Sequence, residues 1–224
     1  NEKFEIGHFD NCEYKNYDIE SIKEFPKVIT EIKGLRGLNV TIPYKEEIIP
    51  YLDKLSKTAK KIGAVNCVTI SKKKKLKGYN TDYHGFKKSI KPLLKDHHKK
   101  ALILGTGGAS KAIAYALRSL KIEYDFVSRT ADEFQYKYEE LDASIFEEYT
   151  VIINTTPVGT HPNVNDCPNL DYSLFTKKHI AYDLIYNPEE TAFLRKAKAQ
   201  GAVTKNGYEM LVLQAEKAWK IWNE

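Results

Sequence analysis

Residues 99–130, KKALILGTGGASKAIAYALRSLKIEYDFVSRT, decide the fold of this chain. Ala101 to Leu104 form a short, continuous apolar run, which is typical of a strand that is buried on both faces. A glycine-rich turn follows, and apolar residues at helical spacing from Ile113 to Leu120 predict a helix. Because residues 124–127 supply a second strand, the stretch has the order and length of a βαβ unit.

Alternation of strands and helices continues beyond this unit. Residues 151–153 predict a third buried strand, and HIAYDLIY, residues 179–186, predicts a fourth. Residues 189–202 predict a helix that ends at Gly201, where a C-cap glycine belongs. Strands that alternate with helices indicate a parallel, doubly wound sheet, so we expect an α/β domain over residues 99–207.

The chain before residue 99 has a different pattern of predicted elements. They are strands at residues 14–19, 38–42, 64–70 and 76–79 and helices at residues 21–32 and 45–61. This pattern indicates a separate α/β domain over residues 1–98, joined to the next domain by the stretch KPLLKDHHKK. A last helix, within residues 208–224, could pack on either domain. A cleft between two such domains is a usual place for a small-molecule site.

Composition excludes several classes of protein. With 42% hydrophobic and 29% charged residues among 224, the chain has the composition of an ordinary globular protein. It contains no apolar run near the ~18 residues of a membrane span, and its start, NEKFEIGHFD, lacks a secretion signal, so we expect a cytoplasmic protein. The net charge of +5 is modest, and the lysines at residues 72–75 predict a solvated hairpin tip rather than a nucleic-acid surface.

Cysteine and histidine spacing predicts neither disulfides nor a metal site. Cys12, Cys67 and Cys167 are far apart and form no CxxC pair. The six histidines include no HExxH motif. We therefore expect reduced thiols and no bound metal ion.

The turn GTGGAS, residues 105–110, has the features of a dinucleotide-binding turn. Gly105 permits the tight turn, and Gly107 lets the backbone approach a pyrophosphate. Gly108 and Ala109 keep the following helix close to the sheet, with its N-terminus aimed at the phosphates. Ser110 takes the place of the last glycine of the usual GxGxxG motif, so a glycine turn without a ligand is the alternative.

The residues after the second strand discriminate between the two nicotinamide cofactors. An enzyme that uses NAD places Asp or Glu there, on the ribose hydroxyls. This chain has Ser128, Arg129 and Thr130 instead. A guanidinium beside two hydroxyls can bind a 2′-phosphate through charge-assisted hydrogen bonds, so the predicted cofactor is NADP rather than NAD, and nothing indicates a flavin.

A second polar region is NVTIPYKE, residues 39–46. Strand alternation predicts that Val40 and Ile42 face the core, whereas Thr41 points away from it, towards Lys45. We expect a helix to start at Pro43, since proline is favoured in a first turn. The positive end of that helix would disfavour an ammonium, which makes Lys45 a plausible proton donor and acceptor.

Three further polar residues could complete this region. Asn66 interrupts an apolar strand, and Asp82 is expected in the first turn of a helix, where a carboxylate is stabilised. Gln214 lies on the apolar stripe of the last helix, where its amide needs partners. If Lys45 and Asp82 meet, they form an ion-paired dyad that can move a proton. Capping and core hydrogen bonds are the alternatives for Asp82 and Gln214.

In this order, the motifs resemble those of the shikimate dehydrogenase family. The resemblance covers nearly the whole chain through NVTIPYK, GAVN, GYNTD, GTGGAS, SRT, NTTPVGT, YDLIYNP and NGYEMLVLQA. It implies an α/β fold with two domains: an N-terminal substrate domain and a Rossmann-like, doubly wound NADP-binding domain, with a C-terminal helix that returns to the substrate domain. It also implies reversible reduction of 3-dehydroshikimate to shikimate, in chorismate and aromatic amino acid biosynthesis.

The resemblance also implies roles for single residues. Lys45 would be the catalytic acid and base, and Asp82 its partner. The substrate would be bound by Thr41, Asn66, Asp82, Tyr186 and Gln214, and the cofactor by Gly105, Gly107, Gly108, Ala109, Ser128, Arg129, Thr130, Leu184 and Gly207. We expect a monomer or homodimer.

The chain departs from the family pattern at two places. The family's first strand and Ser-x-Ser loop, which hold the substrate carboxylate, have no counterpart before Asn39, and we expect this segment to be missing from the sequence as given. Glu133 lies where the family often has another basic residue. The alternatives are a quinate/shikimate dehydrogenase with relaxed specificity and a non-catalytic NADP-binding module.

Overall fold

The computed structural model describes Phe4, Gly7 and residues 11–224, within two compact units that span residues 1–35 and 36–224. The start of the chain, in which we found no secretion signal, otherwise lies outside the described residues. In the first unit, a short 3-10 helix (Ile22–Glu24) leads into helix α1 (Phe25–Glu31), as predicted. Ser21 and Glu24 form a capping box in front of it. The strand predicted at residues 14–19 does not form.

The second unit contains two sheets and the helices that cover them. Its strands are β1 (Gly37–Asn39), β2 (Lys54–Leu55), β3 (Cys67–Ile70), β4 (Leu76–Tyr79), β5 (Lys100–Leu104), β6 (Glu123–Val127), β7 (Gln135–Tyr136), β8 (Val151–Asn154), β9 (Ile180–Asp183) and β10 (Val203–Lys205). Its α-helices are α2 (Lys57–Ile62), α3 (Asp82–Ile90), α4 (Gly108–Ser119), α5 (Ala143–Glu148), α6 (Ala192–Ala199) and α7 (Tyr208–Asn223). Short 3-10 helices lie at Ile49–Tyr51, Lys91–Leu93, Tyr138–Glu140 and Tyr172–Leu174.

The first sheet is mixed and has the strand order β1-β3-β4-β2. β3 pairs antiparallel with both β1 and β4, and β2 joins β4 in parallel. The hairpin between β3 and β4 closes through a hydrogen bond from Ser71 N to Lys75 O of 3.0 Å. Its tip holds the exposed lysines at residues 72–75, so the predicted hairpin tip is confirmed.

The second sheet is entirely parallel and has the order β10-β9-β8-β5-β6-β7. Ala101 and Ile103 of β5 pack on one face, in a cluster that includes residues of α3 and α4. Leu102 and Leu104 pack on the other face, with aromatic residues that follow β8 and residues of α6. Strand β5 is therefore buried on both sides, and the predicted doubly wound parallel sheet is confirmed.

The C-terminal helix α7 returns to the elements of the first sheet. It crosses α3 so closely that a Cβ atom added to Gly85 would lie 2.4 Å from the carbonyl oxygen of Met210. Near its end, Trp222 Nε1 donates to the carbonyl of Val68 in β3, at 3.0 Å. This helix therefore brings Gln214 to the side of the molecule that carries α3 and β3.

Besides the strand at residues 14–19, two further expectations for the first half of the chain are wrong. The helix predicted at residues 45–61 is replaced by turns over residues 42–48, a 3-10 helix, β2 and the short helix α2. Pro50 lies inside the predicted helix, where proline removes a backbone hydrogen bond, and Ser56 caps α2 instead. The strand predicted at residues 38–42 ends at Asn39, and the side chain of Ile42 is 69% exposed rather than in the core.

Candidate active site

Lys45 and Asp82 form a buried ion pair. Lys45 Nζ lies 2.7 Å from Asp82 Oδ2, and the two side chains are only 14% and 8% exposed. Asp82 is the first residue of α3, whose N-terminus stabilises a carboxylate. Lys45 lies in the turns that follow β1, and its carbonyl accepts a hydrogen bond of 2.7 Å from Val65 N. No helix starts at Pro43, and the charge of Lys45 is balanced by Asp82.

Asn66 links this pair to α3. Its Nδ2 atom donates to Asp82 Oδ1 at 2.8 Å and to Thr81 Oγ1 at 2.9 Å. Its Oδ1 atom accepts from the backbone N of Thr81 at 2.6 Å. Asn66 and Thr81 are buried, so these bonds fix the orientation of the Asp82 carboxylate.

Gln214 of α7 completes the polar cluster. Thr81 Oγ1 donates to Gln214 Oε1 at 3.1 Å, which extends the chain of hydrogen bonds from Asn66. The amide nitrogen of Gln214 has no hydrogen-bond partner among the described residues. A donor at the edge of a polar cluster is therefore available to a ligand. The sequence predicted Thr81 only as a candidate cap of the helix that begins near Asp82, and its hydrogen bonds in this cluster were not predicted.

Two residues implied for the substrate lie outside this cluster. Thr41 is exposed, and its carbonyl accepts from Tyr44 N at 2.9 Å in the turn that leads to Lys45. Tyr186 follows β9 and is 48% exposed. Within the part of the chain that the structure describes, the hydrogen bonds of the Lys45–Asp82 cluster do not reach Tyr186.

The glycine turn lies at the carboxyl end of β5. Gly105 has a φ of +97°, which side chains rarely permit, and a Cβ atom there would lie 2.9 Å from Thr156. Around Gly107 a Cβ atom would meet nothing within 4 Å. Ser110 is buried and its hydroxyl donates to the carbonyl of Gly107 at 2.6 Å, so it replaces the usual glycine without crowding the turn. The open space at the start of α4 fits a pyrophosphate.

The residues for a ribose 2′-phosphate follow β6. The hydroxyl of Ser128 accepts from the backbone N of Thr130 at 3.2 Å, which shapes the turn. Arg129 forms no ion pair with a carboxylate among the described residues, and its charge lies near the phenol of Tyr138. Burial raises the pKa of Tyr138, and the Arg129 charge acts in the opposite direction. An unpaired guanidinium beside hydroxyl groups fits a phosphate.

Leu184 and Gly207 are brought together by a close backbone contact. A Cβ atom on Gly207 would lie 2.0 Å from the carbonyl oxygen of Leu184, and Gly207 N donates to Ile185 O at 3.0 Å. Only glycine permits this approach. The contact places two residues that the family resemblance implies for the cofactor at the carboxyl end of β9.

Asp183, which we did not predict, supports this end of β9. It is fully buried and accepts hydrogen bonds from Asn154 Nδ2 and Ile185 N at 3.0 Å and from Thr191 Oγ1 at 2.6 Å. Burial raises the pKa of Asp183 to about 6, against the opposing effect of these donors. A carboxylate at the end of an apolar strand was the signal in the sequence.

The polar cluster around Lys45 and Asp82 contains no cysteine and no set of metal ligands among the described residues. Cys67 and the other cysteines are free thiols, and burial raises the pKa of Cys67 to about 12, so it is protonated at neutral pH. Among the described residues, no group of three or more His, Cys, Asp or Glu side chains is placed to hold a metal ion. Nor does any helix in the described part of the chain have the length and apolar character to cross a membrane.

The family model, the related sequences and the similar solved structures all point to shikimate dehydrogenases. Residues 1–68 match the family described as "Shikimate dehydrogenase substrate binding domain". The shikimate dehydrogenase (NADP(+)) of Carboxydothermus hydrogenoformans is 40% identical over an alignment of 217 residues, which covers 89% of this chain and 77% of that protein. Shikimate dehydrogenase 1 from Peptoclostridium difficile has a similar structure, with a TM-score of 0.81, 40% identity and coverage of 99% of this chain and 84% of that one. For shikimate 5-dehydrogenase from Thermus thermophilus, in complex with NADP(H) and shikimate, the TM-score is 0.78 at 34% identity, covering 90% and 78%.

A doubly wound parallel sheet with a glycine turn, and with an arginine after the second strand of its βαβ unit, is typical of NADP-dependent oxidoreductases. In this chain a second, mixed β-sheet lies next to the lysine–aspartate pair. Within that class, the chain belongs to the shikimate dehydrogenase family. The expected fold class is confirmed. The relatives also confirm the choice of NADP as cofactor.

Proposed function

We propose that this chain catalyses the reversible reduction of 3-dehydroshikimate to shikimate with NADPH, as a step of aromatic amino acid biosynthesis. Lys45 acts as the acid and base of the reaction, and Asp82 is its partner. The observation that carries the assignment of residues is the buried pair with 2.7 Å between Lys45 Nζ and Asp82 Oδ2. A shielded ammonium next to a carboxylate is a suitable group for proton transfer.

NADPH, when bound, supplies the hydride for the ketone carbon. The backbone around the glycine turn and the N-terminus of α4 would hold its pyrophosphate, and Arg129 its 2′-phosphate. The full set of residues that we propose for the cofactor is Gly105, Gly107, Gly108, Ala109, Ser128, Arg129, Thr130, Leu184 and Gly207.

Lys45 has the donors that the reaction needs. An ammonium carries three N–H bonds, and Asp82 is its one hydrogen-bond partner among the described residues. Another N–H bond can therefore donate its proton to the ketone oxygen while negative charge develops there. In the direction of oxidation, the neutral amine accepts the proton of the substrate hydroxyl. General acid and base catalysis of this kind contributes about 10² to 10⁴ in rate.

The surrounding polar groups would orient the substrate. The amide nitrogen of Gln214 can donate to a substrate hydroxyl, since its oxygen already accepts from Thr81. Asn66 uses both Nδ2 protons on Thr81 and Asp82 and so also positions the catalytic pair. We assign Thr41 and Tyr186 to the substrate as well. The domain boundaries at residues 98 and 207, the cytoplasmic location and the monomer or homodimer state stay predictions.

A substrate panel tests this function. The purified protein is assayed for NADPH formation with shikimate, with quinate and without substrate, and each assay is repeated with NAD. We expect turnover with shikimate and NADP. Equal turnover of quinate would instead support an enzyme of relaxed specificity, and no turnover in any combination would contradict a catalytic role.

A further inference from the structure

An ion pair joins the turn that carries Lys45 to the helix of the glycine turn. The carboxylate of Glu46, the residue directly after Lys45, contacts the ammonium of Lys111 in the first turns of α4. Both side chains are about 40% exposed, at 42% and 41%. The pair therefore links elements of the two sheets at the point where the two parts of the candidate site meet.

Other contacts at the same place show how closely the two parts approach. A Cβ atom added to Gly108 would lie 3.3 Å from the Cβ of Lys45 and 3.6 Å from Glu46 Oε1. The carboxylate of Glu46 thus lies beside the N-terminus of α4, which favours negative charge. Ala112, one turn further along α4, packs with Ile62 and other apolar residues that follow the turn.

The backbone around Lys45 has little regular structure to hold it. Residues 42–48 form consecutive turns, with hydrogen bonds from Ile48 N to Tyr44 O at 3.0 Å and from Val65 N to Lys45 O at 2.7 Å. These bonds fix the segment on the side of the first sheet. On the opposite side, towards α4, the polar contact that the described residues make to the Lys45 turn is the Glu46–Lys111 pair.

We propose that the Glu46–Lys111 pair is a positioning contact, which holds the Lys45 turn against α4 and thereby sets where the Lys45 ammonium lies relative to the bound cofactor. This inference rests on the proposed function of Lys45. A misplacement of ~1 Å can cost up to about 10²-fold in rate even when the altered residue does not touch the substrate. An exposed ion pair contributes little to folding, so its loss should appear in turnover and in the mobility of the turn.

The kinetic experiment compares four variants with the wild type. They are Glu46→Gln, Lys111→Met, the double variant that combines these two changes, and a charge reversal that combines Glu46→Lys and Lys111→Glu. We expect each single variant to reduce kcat by about tenfold, within the range for a small misplacement, with little change in the KM for shikimate. The double variant should be no slower than either single variant, because both remove the same contact. The charge reversal should recover part of the loss. Glu148→Gln, which breaks an exposed pair with Lys100 at the start of β5, is the matched control and should leave kcat unchanged.

A second readout needs no cofactor. Hydrogen exchange of the ligand-free protein should show faster exchange at the amides of Ile48 and Val65 in Glu46→Gln and Lys111→Met, and wild-type exchange in Glu148→Gln. If wild-type protein failed to oxidise shikimate, the proposed function would be wrong, while faster exchange would still establish that the pair holds the turn. Unchanged kcat and unchanged exchange in both single variants would overturn the inference. A loss of kcat in the double variant equal to the product of the two single losses would also overturn it, because the two residues would then act independently. So would a change in the KM for NADP in Lys111→Met alone, because Lys111 would then act on the cofactor without Glu46.

Discussion

Gly107 and Gly207 differ in what a methyl group would meet. At Gly107 a Cβ atom would have open space, and the backbone is extended, with φ −74° and ψ 179°. At Gly207 it would lie 2.0 Å from the carbonyl oxygen of Leu184. We therefore expect Gly207→Ala to destabilise the protein by about 1–3 kcal/mol, as overpacking does, and Gly107→Ala to leave stability unchanged.

The same two variants separate folding from cofactor binding. A methyl group at Gly107 would fill the space that we assign to the pyrophosphate, so Gly107→Ala should raise the KM for NADP although its denaturation curve matches that of the wild type. Urea denaturation and steady-state kinetics on both variants are the measurements. A wild-type KM in a stable Gly107→Ala protein would show that the pyrophosphate binds elsewhere.

We propose that Arg129 determines the preference for NADP over NAD. Its guanidinium has no carboxylate partner among residues 11–224, so it is available to the 2′-phosphate. Arg129→Ala should raise the KM for NADP by about 10- to 100-fold, the range for losing a hydrogen bond to a charged group, while any activity with NAD stays unchanged. Glu133→Ala is the control from the same loop. An equal loss with both cofactors would mean that Arg129 holds the loop rather than the phosphate.

Single residues show where prediction from sequence ends. The glycine turn, with the arginine after the next strand, is a local pattern and was predicted because its residues are close in sequence. The partnership of Lys45 with Asp82, 37 residues away, follows from folding and from the family resemblance, and no local pattern contains it. The ion pair of Glu46 was not predicted for the same reason, since its partner Lys111 is 65 residues away.

Secondary structure was predicted best where the apolar pattern is strong. Strands β5, β6, β8 and β9 and helices α4, α6 and α7 were predicted within a few residues of their bounds, because each has a continuous apolar run or a clear helical stripe. Short elements such as β2, β7, β10 and α5 were missed, since two to six residues carry no recognisable period. A helix was predicted to start at Pro43 because proline is favoured in a first helical turn, but residues 42–48 form turns instead.

Two buried histidines connect the amino ends of the parallel strands. His98 Nδ1 accepts from Lys95 N at 2.8 Å, so its Nε2 carries the proton and faces the carbonyl of Lys178 at 3.0 Å. His179 is arranged in the same way, with a hydrogen bond of 3.0 Å from Thr176 N to Nδ1. Burial lowers the pKa of both His98 and His179, and a second proton on either ring would break a backbone hydrogen bond.

These histidines predict a loss of stability in mild acid. In the unfolded chain a histidine has a pKa of about 6.5, so the unfolded state binds protons more strongly than the folded state does. The contribution of these two histidines to stability should be complete above that pH and be lost as the pH falls towards the lowered pKa values of His98 and His179. Burial raises the pKa of Asp183 to about 6, so this group acts in the opposite direction over the same range, and histidine variants are needed to isolate the histidine effect. Thermal unfolding between pH 7.5 and pH 5, at roughly half-unit steps around the histidine pKa, measures it.

Substitution identifies the source of the pH dependence. His98→Asn and His179→Asn should lower the melting temperature at neutral pH but flatten its decrease in acid. His161→Asn, at an exposed turn position, should keep the wild-type decrease. An undiminished decrease in both buried variants would assign the effect to other groups.

The whole molecule assembles its candidate site from distant parts of the chain. The first sheet contributes Lys45 and Asn66 from segments next to β1 and β3, and α7 returns from the end of the chain to add Gln214. The parallel sheet contributes the glycine turn and the ends of β6 and β9. Close contact of Gly108 with Lys45 places the two contributions side by side. The catalytic function therefore depends on the fold of both sheets, with Lys45 at their meeting point.

Turnover of Lys45→Met tests this account most directly. Methionine keeps much of the length of lysine but removes the proton, so we expect kcat for shikimate oxidation to fall by about 10² to 10⁴, the contribution of general acid and base catalysis. NADPH binding, followed by its fluorescence, should be retained and shows that the variant is folded. Lys75→Met, at the exposed hairpin tip, should turn over like the wild type. Near-normal turnover of a folded Lys45→Met protein would contradict the central claim that Lys45 transfers the proton.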